Sequence, residues 1–231
     1  DEYQYGTVDR LSPEAPVPVF QNRHLVTKPG MAANVQANLE ALGCQVTAYL
    51  SMPSVKTRLI DIRSNQHIVR IDRDRESEPV VLADLDLSDY DAVVISDYNK
   101  GFVTYESVEQ IIQSTSLPVF IDTKKTDLAR FEGAVVKINS SENNSAKTFP
   151  SELIVTMGAH GARYRDRQYT AVDIEVVDVC GAGDTFLAAL VYGYLKEGTM
   201  PTAIAFAIRA SAITVQHMGV YAPTLEEIIC A

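Results

Sequence analysis

From Tyr90 onward, short apolar runs alternate with helical segments, and no other feature of the chain constrains its fold as tightly. The runs are residues 92–96, 118–121, 134–138 and 153–156. Between the first two, Val108, Ile111 and Ile112 are spaced for one face of a helix over 105–113. Apolar strands bounded by helices imply a parallel sheet covered on both faces. Each run ends in or runs into a polar residue: Asp97, Asp122, Asn139 and Thr156. Open sheets of this kind bind ligands beyond the carboxyl ends of their strands. Asp and Asn also begin turns, so each residue alone fits either role, and together they mark a candidate site.

The first 75 residues read differently. Pro13, Pro16 and Pro18 forbid a helix over 12–20 and leave an edge strand or extended loop. Residues 31–42 have helical character, with Ala33, Ala37 and Ala41 along one face and Gly43 as the stop signal. Residues 56–72 read as two short strands, with Ile60 and Ile62 on one side, Val69 and Ile71 on the other, and Ser64-Asn65 near the turn.

Composition narrows the function classes. Twenty Lys and Arg against 30 Asp and Glu give a formal charge of −10, which argues against a nucleic-acid partner, since that affinity comes mainly from basic groups neutralising phosphates. The longest near-apolar stretch, 186–195, is too short to span a bilayer, so no membrane partner is expected. Cys44, Cys180 and Cys230 form neither a disulfide framework nor a zinc set, and no secretory signal is visible, so a cytoplasmic protein is expected. The sequence starts at Asp1 rather than Met, which implies something removed or left out in front.

The sharpest motif is Asp178-Val-Cys-Gly-Ala-Gly-Asp-Thr185, followed by a helical run over 186–196. Gly181, Ala182 and Gly183 let the backbone turn tightly and open its N–H groups to an anion at the helix start, where a phosphoryl group is the obvious guest. The helix dipole is expected to keep Asp184 ionised. That makes it a poor base, which phosphoryl transfer tolerates because positioning the attacking hydroxyl matters more than early proton removal. The same residues suit a helix N-cap at Asp184 or Thr185, and the loop alone does not decide between cap and chemistry. It matches neither a P-loop, for lack of a following Lys-Ser/Thr, nor the dinucleotide fingerprint, whose glycine spacing differs.

Residues 178–185 resemble the signature of the PfkB/ribokinase family of sugar kinases. Other segments resemble its D-glycero-D-manno-heptose-7-phosphate kinase branch: Tyr5-Gly6 with 12–19, Pro29-Gly-Met-Ala-Ala-Asn34, Lys56-Thr-Arg58 with Gln66 and Arg70, Ser96-Asp-Tyr-Asn-Lys-Gly101, Asp122-Thr-Lys124 with Thr126-Asp127, Asn139-Ser-Ser-Glu142, and Val155-Thr156 with Gly158 and Gly161. Their order is collinear over nearly the whole chain. The resemblance implies a ribokinase-like three-layer α/β/α fold with a mostly parallel sheet plus a small β lid. It implies one kinase domain over 1–231, with lid segments near 10–28 and 56–74.

The implied roles follow the matching positions. Asp184 would be the base, and Gly181, Ala182 and Gly183 the anion hole. Asn139 and Glu142 would position Mg²⁺ through ordered water, since Mg²⁺ keeps several waters. Gly30 and Asn34 would lie against the sugar, with Ser12, Glu14, Asp97 and Lys100 also on the substrate side. Lys56, Arg58 and Arg70 would face a distal phosphate, although each also suits a solvated surface charge. Asp122, Lys124, Asn139, Thr156, Gly158, Gly161 and His217, in a helix over 201–218, would border ATP. The small sheet often builds a homodimer interface in this family.

The resemblance implies an ATP- and Mg²⁺-dependent kinase for the anomeric hydroxyl of a heptose 7-phosphate, a small-molecule sugar phosphate. Another sugar (ribose, fructose, an aminosugar) and a catalytically impaired binding homologue remain open. The family pattern breaks before residue 1, near 48–55 and near 143–152, where the family carries further strands and helices; omitted segments and a reduced homologue each account for these breaks. Met31 and Lys125 stand where the family usually has glycine, and Ile208 where Asn is frequent. Nothing after Met218 resembles the nucleotidyltransferase fused to some members, so only the kinase step is expected.

Overall fold

The computed structural model describes residues 1–82 and 85–230. They form two compact units. The smaller comprises Asp1–Pro29 and Met52–Glu76, a sheet in the order β2-β1-β3-β4. Strand β1 (Glu2–Leu11) pairs antiparallel with β2 (Pro18–Thr27) and parallel with β3 (Val55–Asp61), which pairs antiparallel with β4 (His67–Arg73). The unit is larger than segments 10–28 and 56–74 because β1 is one of its two inner strands. In the proline-rich stretch a loop runs to Val17 and strand begins at Pro18, where an edge strand needs no N–H from its first residue. Inner strands supply the buried apolar side chains, Tyr3 and Ile60, while Ile62 lies past β3 and Val69 and Ile71 are exposed. In the turn after β3, Asp61 accepts hydrogen bonds from the Ser64 N–H and hydroxyl.

The larger unit comprises Gly30–Ser51 and the chain from Ser77 on. Its sheet has the order β10-β9-β8-β7-β6-β5. Strands β5 (Val93–Asp97), β6 (Val119–Thr123), β7 (Val135–Asn139) and β8 (Leu153–Thr156) are parallel, and β9 (Ala162–Tyr164) and β10 (Arg167–Tyr169) add antiparallel. Alternation along the strands divides the core in two. Phe120 and Ile154 pack in one cluster with α1 (Ala32–Ala41), α4 (Ala182–Glu197), α5 (Met200–Thr214) and α6 (Leu225–Cys230). Val119, Ile121, Val136, Ile138 and Val155 pack in the other with α2 (Tyr105–Ser114) and a single 3₁₀ turn, Leu128–Phe131. Helix, sheet and helix are therefore three layers, with a short helix α3 (Ser140–Ser145) directly after β7.

Local sequence accounts for the helix ends nearest the site. Thr104 and Ser107 form a capping box on α2, and Thr199 caps α5 with proline in its first turn. Helix α1 ends as a Schellman motif: Gly43 at φ +85° donates to Glu40 O, and Cys44 donates to Leu39 O. Its buried face is not the alanine stripe but Asn34, Val35, Asn38 and Leu39.

Met31, immediately before α1, sits at φ 54°, ψ −132°, a conformation natural to glycine and strained for a side-chain-bearing residue. Met31→Gly should raise stability by about 1 kcal/mol, the relief of strain less the added chain entropy. Thermal unfolding should show this as a Tm increase of roughly 2–4 °C for a chain of this size. An unchanged or lower Tm would show that the methionine side chain compensates.

Candidate active site

The carboxyl ends of β5, β6 and β7 and the start of α4 enclose a cleft of about 140 Å³, lined among others by Asp97, Tyr98, Asp122, Lys137, Asn139 and Asp184. Gly181 opens α4 at φ +79° with no side-chain cap hydrogen bond. A Cβ there would come within 2.8 Å of Asn34 Nδ2 and 3.0 Å of Val220 Cγ1, so only glycine fits. Asp178 fixes the loop, accepting from Cys180 N–H at 3.0 Å and Gly219 N–H at 2.9 Å.

Asp184 is 7% exposed and does not cap the helix. Its Oδ2 accepts from Asn34 Nδ2 at 2.9 Å and its Oδ1 from the Tyr98 hydroxyl at 3.0 Å. Burial pushes its pKa up; the Asp122 carboxylate adds to the rise, while Asn34, Lys137 and Tyr98 oppose it. The expectation of a poor base at the helix start is corrected in direction: desolvation of the charged form raises the pKa, which makes Asp184 a better proton acceptor than an exposed aspartate. Burial and the nearby carboxylates push the Tyr98 phenol up, so Tyr98 remains a donor.

Lys137, on β7, lies 2.7 Å from Asp122 Oδ2 and 3.3 Å from Gly183 O, with its side chain 4% exposed. Burial raises the Asp122 pKa and Lys137 partly offsets the rise. A positive charge thus stands against the glycine loop where an anion would seat. Asn139 and Glu142 form a capping box on α3: Asn139 Oδ1 accepts from Glu142 N–H at 2.9 Å and Glu142 Oε2 from Asn139 N–H at 2.8 Å. Glu142 Oε1 accepts from Lys124 Nζ at 2.8 Å, and that ammonium also lies 5.3 Å from the centre of the Tyr98 ring.

Asp97 is engaged within the protein. It accepts from Asn99 N–H at 2.8 Å and the Thr123 hydroxyl at 2.7 Å, and pairs with buried Lys125 at 3.0 Å. Its Oδ2 ties the ends of β5 and β6 together through Thr123, its Oδ1 fixes the turn at Asn99, and the residue lines the cleft. Asn34, 2% exposed, likewise holds Asp184 and is itself held by Asn38.

The other sequence-predicted residues lie elsewhere. Thr156 pairs with Asn139 in register, and its hydroxyl donates to Ile138 O. Gly161 at φ +83° has no room for a Cβ, which would lie 1.9 Å from Tyr169 O, so the chain itself demands glycine there; Gly158 also has positive φ. Gly30 precedes α1, and Lys100 O accepts from Ser77 N–H. The His217 ring stacks on Tyr221 at 3.7 Å, and its Nδ1 lies 3.0 Å from Ile213 O.

In the smaller unit, Ser12 and Glu14 share the β1–β2 loop and Lys56 stands on β3. Arg58 is buried in an ion pair with Asp1, 5.3 Å from the Tyr3 ring centre, and Arg70 pairs with Asp72. Arg58 is thus buried against its counter-ion, whereas Arg70, its side chain 55% exposed, shares a surface pair with Asp72.

Sequence reasoning missed Tyr98, Lys125 and Lys137 as site residues. Lysine in the middle of the run Val135-Val-Lys-Ile-Asn139 was the available signal, since a parallel strand buried on both faces rarely tolerates an ammonium without a purpose.

Residues 120–228 match the sequence pattern of the pfkB family carbohydrate kinases. Among curated proteins, the bifunctional protein HldE of a Nitratiruptor species is 34% identical over 289 residues, covering 99% of this chain and 62% of that protein. D-beta-D-heptose 7-phosphate kinase of Bordetella bronchiseptica is 32% identical, covering 99% of this chain and 91% of that protein. The chain thus spans about 62% of the length of the first bifunctional relative. Among solved structures, ribokinase from Thermotoga maritima superposes with a TM-score of 0.72 at 16% identity, covering 100% of this chain and 95% of the other. Arabidopsis thaliana ribokinase complexed with ribose and ATP gives 0.73 at 15%, covering 99% and 94%. At that identity these two likenesses bear on the fold alone, and the fold is ribokinase-like.

Proposed function

The chain belongs to the pfkB family of carbohydrate kinases, and from that premise we propose that it transfers the γ-phosphoryl group of ATP to the anomeric hydroxyl of a heptose 7-phosphate, giving the 1,7-bisphosphate. One observation carries the reading: Asp184 follows the Gly-Ala-Gly loop yet is buried in the cleft and held by two side chains instead of capping α4.

The chemistry follows from the placement. The sugar hydroxyl donates to the Asp184 carboxylate, which aims its oxygen at the γ-phosphorus. A bond forms between them as the bond to the β–γ bridging oxygen breaks; ADP leaves with that electron pair, and the hydroxyl proton passes to Asp184. The raised pKa suits Asp184 to take that proton. The uncapped start of α4 and the Lys137 ammonium stabilise the migrating group, whose transition state is loose and needs positioning and charge more than covalent help.

The cleft also suits a magnesium ion that comes with the nucleotide. Mg²⁺ is held mainly by water and phosphates, so it needs few direct protein ligands. Asn139 and Glu142 would reach it through water, and the ion would neutralise phosphate charge. The heptose assignment rests on the two relatives named for HldE and for heptose 7-phosphate kinase activity.

The test is ADP release by the purified chain with Mg·ATP across a panel of free and phosphorylated sugars. Heptose 7-phosphate should give the highest kcat/KM, above free heptose, ribose, fructose and aminosugars. A preference for an unphosphorylated sugar would overturn the substrate, and silence across the panel from folded protein would overturn the enzyme reading.

A further inference from the structure

We infer that Tyr98 is a positioning residue for the base: its hydroxyl fixes Asp184 Oδ1 and its ring closes one side of the carboxylate to water, so that a sugar hydroxyl and not solvent meets the base. This deepens the kinase reading and rests on it for its consequence in turnover. Tyr98 follows β5, whereas Asp184 belongs to α4, 86 residues later, and the hydroxyl reaches Oδ1 at 3.0 Å. Asn34 takes the other oxygen from α1. With one donor on each oxygen the carboxylate cannot rotate, yet each oxygen keeps a further lone pair for a substrate hydroxyl.

The surroundings show why a tyrosine and not a charged residue stands there. Asp184 faces Asp122 on β6 and Lys137 on β7, a pair that already joins its own charges at 2.7 Å. Lys124 lies over the Tyr98 ring and pairs with Glu142. A cation at position 98 would pair with Asp184 and hold it away from substrate; an apolar residue would leave Oδ1 without its donor. The phenol stays protonated because burial and the carboxylates of Asp184, Asp122 and Glu142 all disfavour its anion. It therefore donates across the whole working pH range and does not compete for the substrate proton.

The hydrogen bond favours the charged form of Asp184, while the ring, by excluding water, disfavours it. Removing only the hydroxyl separates the two effects. In Tyr98→Phe the desolvating ring remains and the donor is gone, so the Asp184 carboxyl should titrate at higher pH than in the wild type. Turnover should then fall on the acid side by about tenfold and recover toward alkaline pH, with the KM for ATP unchanged. In Tyr98→Ala water should reach the carboxylate, and ATP hydrolysis without sugar should rise several-fold.

The deciding measurement is a ¹³C NMR titration of carboxyl-labelled aspartate, with Asp184→Asn identifying the resonance. The Asp184 carboxyl should titrate above the ordinary range near 3.9 in the wild type, and roughly one pH unit higher in Tyr98→Phe. Equal titration in wild type and Tyr98→Phe would overturn the assignment and leave Tyr98 a packing residue. A wild type inactive on every sugar would sink the kinase reading instead, and the carboxyl titration would still decide Tyr98.

Discussion

Asp184→Asn should fold normally, bind sugar and nucleotide, and lose turnover by on the order of 10²–10⁴-fold, the usual size of a lost acid–base group. The amide can still accept from Asn34, so the geometry of the loop survives while the proton acceptor does not. Steady-state kinetics should show the loss in kcat with KM little changed. A variant with near-normal kcat would remove Asp184 from the chemistry.

The same substitution carries a stability signature whose sign follows from burial. The folded carboxyl has a raised pKa, so the wild type gains stability from the neutral carboxyl at low pH and loses it as pH rises through the folded value. Asparagine has no charge to bury. Asp184→Asn should therefore match or exceed wild-type stability at neutral pH, with the difference shrinking as pH falls below the folded pKa. Thermal unfolding of both proteins from pH 4 to pH 8 checks the trend, and an advantage for asparagine that grew toward acid pH would contradict it. A functional group held at a cost in stability is the expected trade at a catalytic position.

How much of this was legible in the chain depends on the range of the interaction. Strands β5 to β8 and helices α2 and α4 could be read from local pattern, because each buries a face whose period is visible within ten or so residues. Three of the four polar residues ending those strands, Asp97, Asp122 and Asn139, do line the cleft. Long-range relations could not be read. Asn34 and Asp184 are 150 residues apart, so the alanine spacing marked a helix over α1 without showing that its buried face holds asparagines that serve the site. Asp97 could be placed at a strand end, and only the structure shows Thr123 and Lys125 meeting on its Oδ2. The helix dipole can be inferred from sequence, but desolvation cannot, since it depends on every element that covers the carboxylate. That is why the direction of the Asp184 pKa shift, upward by burial, could not be read from the loop.

Lys137 is where fold and chemistry meet, and its removal should damage both. Lys137→Met leaves Asp122 beside Asp184 without its counter-charge, and breaking a buried pair from one side costs about 3–5 kcal/mol. The loss should be greatest at neutral and alkaline pH and shrink toward acid, where Asp122, already raised by burial, takes up a proton. Adding Asp122→Asn removes the orphaned charge, and the double variant should recover most of the stability. Activity should not follow. The ammonium stands 3.3 Å from Gly183 O, beside the loop that receives the migrating phosphoryl group, and no amide or thioether replaces its charge. The double variant should stay about 10²–10³-fold below wild type in kcat, the size seen when one fixed transition-state donor is lost. Denaturant unfolding and single-turnover kinetics on the same preparations separate the two effects. If activity returned with stability, Lys137 would be a structural counter-ion alone, and the charge that steadies the phosphoryl group would have to come from the uncapped start of α4 and from Lys124.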